Sequence, residues 1–207
     1  MVDVVTLVAA VAAAYLLGSI PVGYLLGRLW GVNVLDWGSG RTGGTNVLRS
    51  AGIVPALLTG ALDIGKGALA VWLAGQMTGY PAAEVLAGAA VILGHNYSVF
   101  LGFRGGAGVG TSLGALGAIY PPAAIALVVL LLLLIAVTRY ASLGSLIITS
   151  LMPLVLLALG IAGILSLTYI SYGLLAWAII VYAHRPNIRR LIQGTERRIE
   201  GKGPIAS

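Results

Sequence analysis

Three short Gly-rich segments hold many of the polar side chains in this chain that could do chemistry. Residues 38–49 read GSGRTGGTNVLR, residues 62–67 read LDIGKG and residues 104–111 read RGGAGVGT. Glycines mixed with hydroxyl and amide residues expose backbone N–H groups and accept positive φ angles, and such concave turns bind phosphate. The composition of these segments therefore favours a site for phosphate-bearing ligands.

The first segment offers the largest number of donors. Its candidate ligand-binding residues are Gly38, Ser39, Gly40, Arg41, Gly43, Thr45, Asn46 and Arg49. Close packing of small residues between membrane helices is the alternative. That alternative accounts for the glycines but not for two arginines, an amide and several hydroxyls, so we favour phosphate binding.

Lys66 is the candidate cation of the second segment. It lies in an apolar stretch with Asp63 three residues earlier. An ionisable residue in such a stretch tends to pair, to reach the interface or to serve function. A local Asp63–Lys66 ion pair and a catalytic Lys66 both remain open, and the pair would also orient the ammonium.

Further polar residues follow the other apolar stretches. We expect Arg104, Gly105 and Gly106, then Ser142, His184 and Asn187, to meet the first two segments in one cleft. His95 is a lone histidine in its segment. For such a residue we favour a structural hydrogen bond to a helix carbonyl over a role as a proton acceptor or as a donor to phosphate. The set is rich in cations and poor in carboxylates, which predicts anionic substrates and no metal site.

The elements that position these residues are membrane helices. The chain has 207 residues, of which 59% are hydrophobic and 9% charged, outside the usual range for soluble domains. A spanning helix needs roughly 20 apolar residues. The sequence therefore predicts an all-α integral membrane protein, with spans at about Val4–Leu26, Val54–Gln76, Ala82–Leu101, Val109–Tyr120, Pro122–Val137, Leu143–Gly160 and Leu165–Ala183.

The distribution of Lys and Arg sets the predicted topology. With seven helices and the N-terminus outside, the basic residues all fall on the inner side, as the positive-inside rule requires. Fusing the fourth and fifth helices gives the six-helix alternative, which splits these charges between the two sides. We predict a seven-helix domain at 1–190 and a basic cytoplasmic tail at 191–207 that meets anionic lipids, with no nucleic-acid partner.

Taken together, these motifs resemble the bacterial acyl-phosphate:glycerol-3-phosphate acyltransferases, the PlsY family, over nearly the whole chain. The resemblance rests on the order and spacing of several short motifs. They are residues 15–21, Gly38-Ser39-Gly40, Thr45-Asn46-Val47 with Arg49, Asp63 with Lys66-Gly67, Gly94-His95, Phe103 with Gly105-Gly106, Arg139-Tyr140 with Ser142, and His184-Arg185 with Asn187.

The resemblance implies a seven-helix fold in the bacterial inner membrane with the active site facing the cytoplasm. It implies transfer of a fatty acyl group from acyl-phosphate to the 1-hydroxyl of glycerol 3-phosphate, with no cofactor. Ser39, Arg49 and Ser142 would hold glycerol 3-phosphate, and the 38–44 backbone with Lys66 would hold acyl-phosphate. His184 and Asn187 would orient the hydroxyls, and the hydroxyl proton would pass to His184 or to a substrate phosphate.

The chain departs from the family pattern at several positions. Arg41 stands where the family has Asn, and Ser98 where it has Pro. Gly44, Arg104 and Gly110 replace Ala, Lys and Ala. Ala107 replaces a lysine that contacts substrate in the family, and Arg41 is the candidate to compensate for it. Two alternative functions remain open: acyl transfer to an acceptor other than glycerol 3-phosphate, and non-enzymatic transport of a lipid or an anion.

Overall fold

The computed structural model describes residues 3–199, which form ten α-helices and two short 3-10 helices. The 3-10 helices are Val34–Asp36 and Val99–Leu101. The α-helices are α1 Val4–Ser19, α2 Val22–Leu29, α3 Gly44–Ala51, α4 Ile53–Thr78, α5 Pro81–Asn96, α6 Val109–Ile119, α7 Pro121–Thr138, α8 Ala141–Ile161, α9 Tyr169–Ala183 and α10 Arg185–Ile192. The predicted all-α fold is confirmed. Part of the predicted tail, including Lys202, lies outside the described residues.

Within the described residues, four helical segments are long and apolar enough to cross a membrane: Val4–Leu29, Ile53–Thr78, Pro121–Thr138 and Ala141–Ile161. They match the first, second, fifth and sixth predicted spans. Two shorter apolar helices, α6 and α9, match the fourth and seventh.

The first predicted span is present, but its helix breaks at Ile20–Pro21 into α1 and α2. Proline has no backbone N–H and cannot continue the helical ladder. The break frees carbonyl groups, and distant side chains satisfy two of them. Ser98 Oγ donates to the Ser19 carbonyl, and Lys66 Nζ donates to the Ile20 carbonyl over 3.0 Å.

Two other predicted boundaries also move. The third span ends at Asn96 rather than Leu101, because the chain folds back and Phe103 N donates to the Ser98 carbonyl over 2.8 Å. The last span begins at Tyr169 rather than Leu165, because Gly163, with a φ of +70°, turns the chain first.

The break between the fourth and fifth predicted spans is confirmed. Helix α6 ends at Ile119, Tyr120 takes an extended conformation, and α7 begins at Pro121. The six-helix alternative assumes one continuous helix through the fourth and fifth predicted spans, and that assumption is wrong. A separate short helix, α3, begins at the last glycine of the first Gly-rich segment.

Small residues allow the helices to approach closely. One buried cluster is almost all alanine, from α1, α4 and α5, and a larger one includes Ile92, Leu116, Met152 and Tyr172. Helices α4 and α6 cross at Gly67 and Gly114. A Cβ at Gly67 would lie 2.0 Å from the Thr111 carbonyl oxygen, and one at Gly114 would lie 1.9 Å from that of Ile64. The glycines at this crossing allow the second and third Gly-rich segments to pack directly against each other.

We expect Gly67→Ala to lower the melting temperature of the detergent-solubilised protein, because overpacking a tight contact costs about 1–3 kcal/mol. Gly65→Ala is the matched control on the same helix, since a Cβ there meets no atom within 4 Å. That control should keep or raise the melting temperature, because alanine is the better helix former. Equal melting temperatures for the two variants would contradict the close α4–α6 crossing.

Candidate active site

A cavity of about 300 Å³ lies where the first and third Gly-rich segments meet the N-terminal parts of α4 and α8 and the C-terminal end of α9. The predicted site residues that line it are Ser39, Arg41, Gly43, Thr45, Asn46, Arg49, Ser142, His184 and Asn187. The predicted convergence of separate segments on one cleft is therefore present. Its other wall is apolar and includes Leu113, Val128, Leu131, Leu132 and Ile135.

Asn46 shapes the first Gly-rich segment. The side chain is buried, and its Nδ2 donates to the Val34 and Arg41 carbonyls over 2.8 and 2.9 Å. Its Oδ1 accepts from Ser39 N over 3.0 Å. A Cβ at Gly38, whose φ is +53°, would lie 2.5 Å from that oxygen. Asn46 thus organises the loop, and Gly38 and Gly40 lie outside the cavity lining.

Lys66 belongs to a buried polar chain rather than to the cavity lining. Its Nζ lies 2.9 Å from Asp63 Oδ1 and donates to the Ile20 carbonyl. His95 Nδ1 lies 3.4 Å from the same Asp63 oxygen. The predicted Asp63–Lys66 pair is therefore present. The partner of His95 is thus a carboxylate instead of the predicted helix carbonyl, and both Asp63 and His95 also line the cavity.

The third Gly-rich segment wraps around His95. Gly106 N donates to the His95 carbonyl over 3.0 Å, and a Cβ at Gly106 would lie 2.0 Å from His95 Nε2. This places Arg104, Gly105 and Gly106 on a neighbouring cavity of about 710 Å³, away from the smaller one. Arg41 lines both cavities.

Arg41 and Arg49 supply positive charge to the smaller cavity. Arg41 donates to Asn187 Oδ1 over 3.3 Å and to the Ala183 carbonyl, and Arg49 donates to the Arg197 carbonyl over 3.3 Å. Burial, and then the charge of Arg190, lower the pKa of Arg41. Burial and the charge of Arg197 lower the pKa of Arg49. Each guanidinium has five N–H donors, so both retain donors for an anionic ligand.

His184, between α9 and α10, presents a neutral imidazole to the cavity. Its Nδ1 lies 2.8 Å from the Ile180 carbonyl, which can only accept, so Nδ1 carries the hydrogen and Nε2 is left with a lone pair. Burial lowers the pKa of His184, the bond to Ile180 raises it, and the charge of Arg41 lowers it further. The net direction is downward, which suits a proton acceptor near neutral pH.

Glu196 is a cavity residue that the sequence analysis missed. Its carboxylate accepts from Ser142 Oγ, Asn187 Nδ2 and Arg190 Nε over 3.1, 2.8 and 2.8 Å. No signal in the sequence distinguishes it, because the basic tail contains two glutamates, Glu196 and Glu200. Within residues 3–199, no three His, Cys, Asp or Glu side chains are grouped to hold a metal ion.

Known proteins match this chain over nearly its full length. The family model for glycerol-3-phosphate acyltransferase matches residues 8–194. A glycerol-3-phosphate acyltransferase of Synechococcus sp. (strain JA-3-3Ab) is 44% identical over 194 residues, covering 93% of each chain. One from Carboxydothermus hydrogenoformans is 40% identical, covering 93% of this chain and 96% of its own.

Solved structures match the fold as well. A crystal structure of PlsY (YgiH), an integral membrane glycerol 3-phosphate acyltransferase, in its glycerol 3-phosphate form aligns with a TM-score of 0.85 at 36% identity. The alignment covers 94% of this chain and 96% of that one. The lysophosphatidic acid form aligns with a TM-score of 0.83.

We expect Lys66→Met to lower the melting temperature strongly, because an uncompensated buried partner costs about 3–5 kcal/mol. Asp63→Asn combined with Lys66→Met should recover part of that loss, since it removes the unpaired carboxylate. Thermal unfolding in detergent measures both. An unchanged melting temperature with lost turnover would show instead that Lys66 acts on substrate, as the family resemblance implies.

Proposed function

Because the chain belongs to the glycerol-3-phosphate acyltransferase family, we propose that it transfers a fatty acyl group from acyl-phosphate to the 1-hydroxyl of glycerol 3-phosphate. The products are lysophosphatidate and inorganic phosphate. One observation carries the proposal: two half-buried arginines and a neutral histidine share a cavity with a wall of α7 side chains. Such a cavity suits one phosphate-bearing acceptor and one fatty acyl chain.

The phosphate of the acceptor would bind Arg41 and Arg49. Ala107 lines the same cavity as Arg41, so the guanidinium of Arg41 can supply the charge that Ala107 lacks. Thr45 and Gly43, on the same wall, would face the donor phosphate. The acyl chain would lie along Val128, Leu131, Leu132 and Ile135, of which Leu132 is exposed on the outer surface of α7.

The reaction needs one bond made, one broken and one proton moved. The glycerol 1-hydroxyl oxygen attacks the acyl carbon, the bond from that carbon to the phosphate oxygen breaks, and inorganic phosphate leaves. The hydroxyl proton passes to Nε2 of His184, or to an oxygen of the leaving phosphate. Because acyl-phosphate is already activated, positioning and charge stabilisation supply much of the catalysis.

We also propose seven membrane crossings in the bacterial inner membrane, with the N-terminus outside and the cavity facing the cytoplasm. The crossings would be α1 with α2, then α4, α5, α6, α7, α8 and α9. The positive-inside rule supports this orientation, because it places Arg41, Arg49, Arg104, Arg139 and the arginines of α10 on one side. The basic tail after residue 190 would then meet anionic lipid headgroups.

Phosphate release from palmitoyl-phosphate by the purified protein, with and without glycerol 3-phosphate, tests the proposed activity. We expect release that depends on the acceptor. Arg49→Gln should lower kcat/KM by about 10- to 100-fold, because a hydrogen bond to a charged group contributes about 1.5–3 kcal/mol. Arg28→Gln is the matched control, since Arg28 is exposed at the end of α2. Release that is independent of the acceptor would contradict the proposal.

We expect the pH profile of kcat/KM to have an acid limb below 6.5, the ordinary pKa of histidine. The lowered pKa keeps His184 neutral at neutral pH, and protonation at lower pH removes the Nε2 lone pair. His184→Gln should remove this limb and lower the rate by about 10²- to 10⁴-fold. An acid limb that persists unchanged in His184→Gln would assign the proton to the substrate phosphate.

A further inference from the structure

Glu196 is one of two carboxylates that line the cavity in the described part of the chain; the other, Asp63, is paired with Lys66, so Glu196 is the one set among the cavity's arginines and neutral donors. Its side chain is 5% exposed, although the residue follows the last helix in a segment rich in arginine. Backbone and side-chain bonds hold that segment across the cavity. Thr195 N donates to the Arg190 carbonyl and Ile199 N to the Arg139 carbonyl, both over 2.8 Å, while Arg49 reaches the Arg197 carbonyl.

The bond from Ser142 to Glu196 decides what Ser142 can offer a ligand. A serine hydroxyl has one hydrogen and two lone pairs. Because Ser142 Oγ donates its hydrogen to Glu196 Oε1, only its lone pairs are left. In this arrangement Ser142 accepts a hydrogen bond from a hydroxyl and does not donate one to a phosphate.

Asn187 is oriented by opposite charges on its two sides. Its Oδ1 accepts from Arg41 over 3.3 Å, and its Nδ2 donates to Glu196 over 2.8 Å. A flipped amide would place NH₂ against the guanidinium and oxygen against the carboxylate. Glu196 therefore keeps Asn187 in one orientation, with the second hydrogen of Nδ2 left for a ligand oxygen.

The charges of the cavity are also arranged in two parts, one around Glu196 and one around Arg41 and Arg49. Glu196 neutralises Arg190, and the hydrogen bonds from Asn187, Arg190 and Ser142 lower its pKa against the raising effect of burial. Arg41 and Arg49 are left with two positive charges, which match a phosphate dianion. A second anion beside the carboxylate would be repelled, so the phosphate of a ligand is directed away from Glu196.

We propose that Glu196 determines acceptor specificity, by positioning Ser142 and Asn187 to receive the hydroxyl end of a phosphorylated polyol. This proposal rests on the proposed function, which it extends to a residue beyond the family match at residues 8–194. Glu196 acts through Ser142 and Asn187, so it is a positioning residue rather than a catalytic one.

Equilibrium binding by calorimetry to the full-length protein in detergent tests this role, with two probes: glycerol 3-phosphate and inorganic phosphate. In Glu196→Gln the amide offers one accepting oxygen where the carboxylate offers two. We expect its Kd for glycerol 3-phosphate to rise about tenfold, as for loss of a charged hydrogen bond. The Kd for inorganic phosphate, which has no hydroxyl end to hold, should stay the same or fall.

Glu84→Gln is the matched control, since Glu84 also accepts from a side-chain hydroxyl, that of Tyr169, near the start of α5. It should bind both probes as the wild type does. In the Ser142→Ala background, the effect of Glu196→Gln on glycerol 3-phosphate should shrink, because the two residues act together. Glu196→Asp, which keeps the charge, should restore part of the affinity and serves as the second variant if Glu196→Gln folds poorly.

Each of the other possible results would contradict either the role of Glu196 or the proposed activity. Unchanged or tighter binding of glycerol 3-phosphate by Glu196→Gln would overturn the proposal and indicate a tail that competes with substrate. Equal weakening of both probes would overturn it in favour of general structural damage. A wild type that binds glycerol 3-phosphate but releases no phosphate from palmitoyl-phosphate would refute the proposed activity, and the ratio of the two Kd values would still test Glu196.

Discussion

The buried contact of Asp63 with Lys66 and His95 is the constraint on which the rest of the site depends. Charges in an apolar interior need partners, and removing one partner leaves the other at a high cost in free energy. Lys66 therefore holds the carbonyl freed at the Ile20–Pro21 break, and His95 is held within the turn of the third Gly-rich segment. This one cluster fixes α1, α4, α5 and the loop beside the cavity relative to one another.

The cavity beside this cluster carries more positive than negative charge. Arg41, Arg49, His184 and several neutral donors line it, together with two carboxylates. Asp63 is paired with Lys66, and Glu196 enters from the segment after α10. Burial lowers the pKa values of both Arg41 and Arg49, and the charges of Arg190 and Arg197 lower them further, so holding these guanidinium groups in the cavity has a cost. A phosphate dianion would relieve that cost, which gives a physical reason for this cavity to bind phosphorylated substrates. The apolar α7 wall beside it suits the acyl group.

Much of this arrangement could be predicted from the sequence. Hydrophobic length located the membrane helices, and Pro121 marked the break between α6 and α7. The distribution of polar residues brought Ser39, Arg49, Ser142, His184 and Asn187 to one cavity. These predictions succeeded because they depend on patterns that run over many residues.

The features that were missed depend on single long-range contacts. The break at Pro21 lies within an apolar run, and its stability comes from Lys66 and Ser98, which are distant in sequence. Arg104 was assigned to the same cleft, but the turn of its segment around His95 places it on the neighbouring cavity. Glu196 resembled a solvated charge in a basic tail, and only the path of the chain across the cavity reveals its partners.

The position of the glycerol 3-phosphate phosphorus in a ligand-bound structure of this protein tests the central claim most directly. The account predicts a phosphate within hydrogen-bonding distance of the Arg41 and Arg49 guanidinium groups, in the cavity that Ala107 lines. The glycerol hydroxyls should point towards Ser142 and Asn187. A phosphate bound in the larger cavity beside Arg104 and Arg189, with the smaller cavity empty, would contradict it.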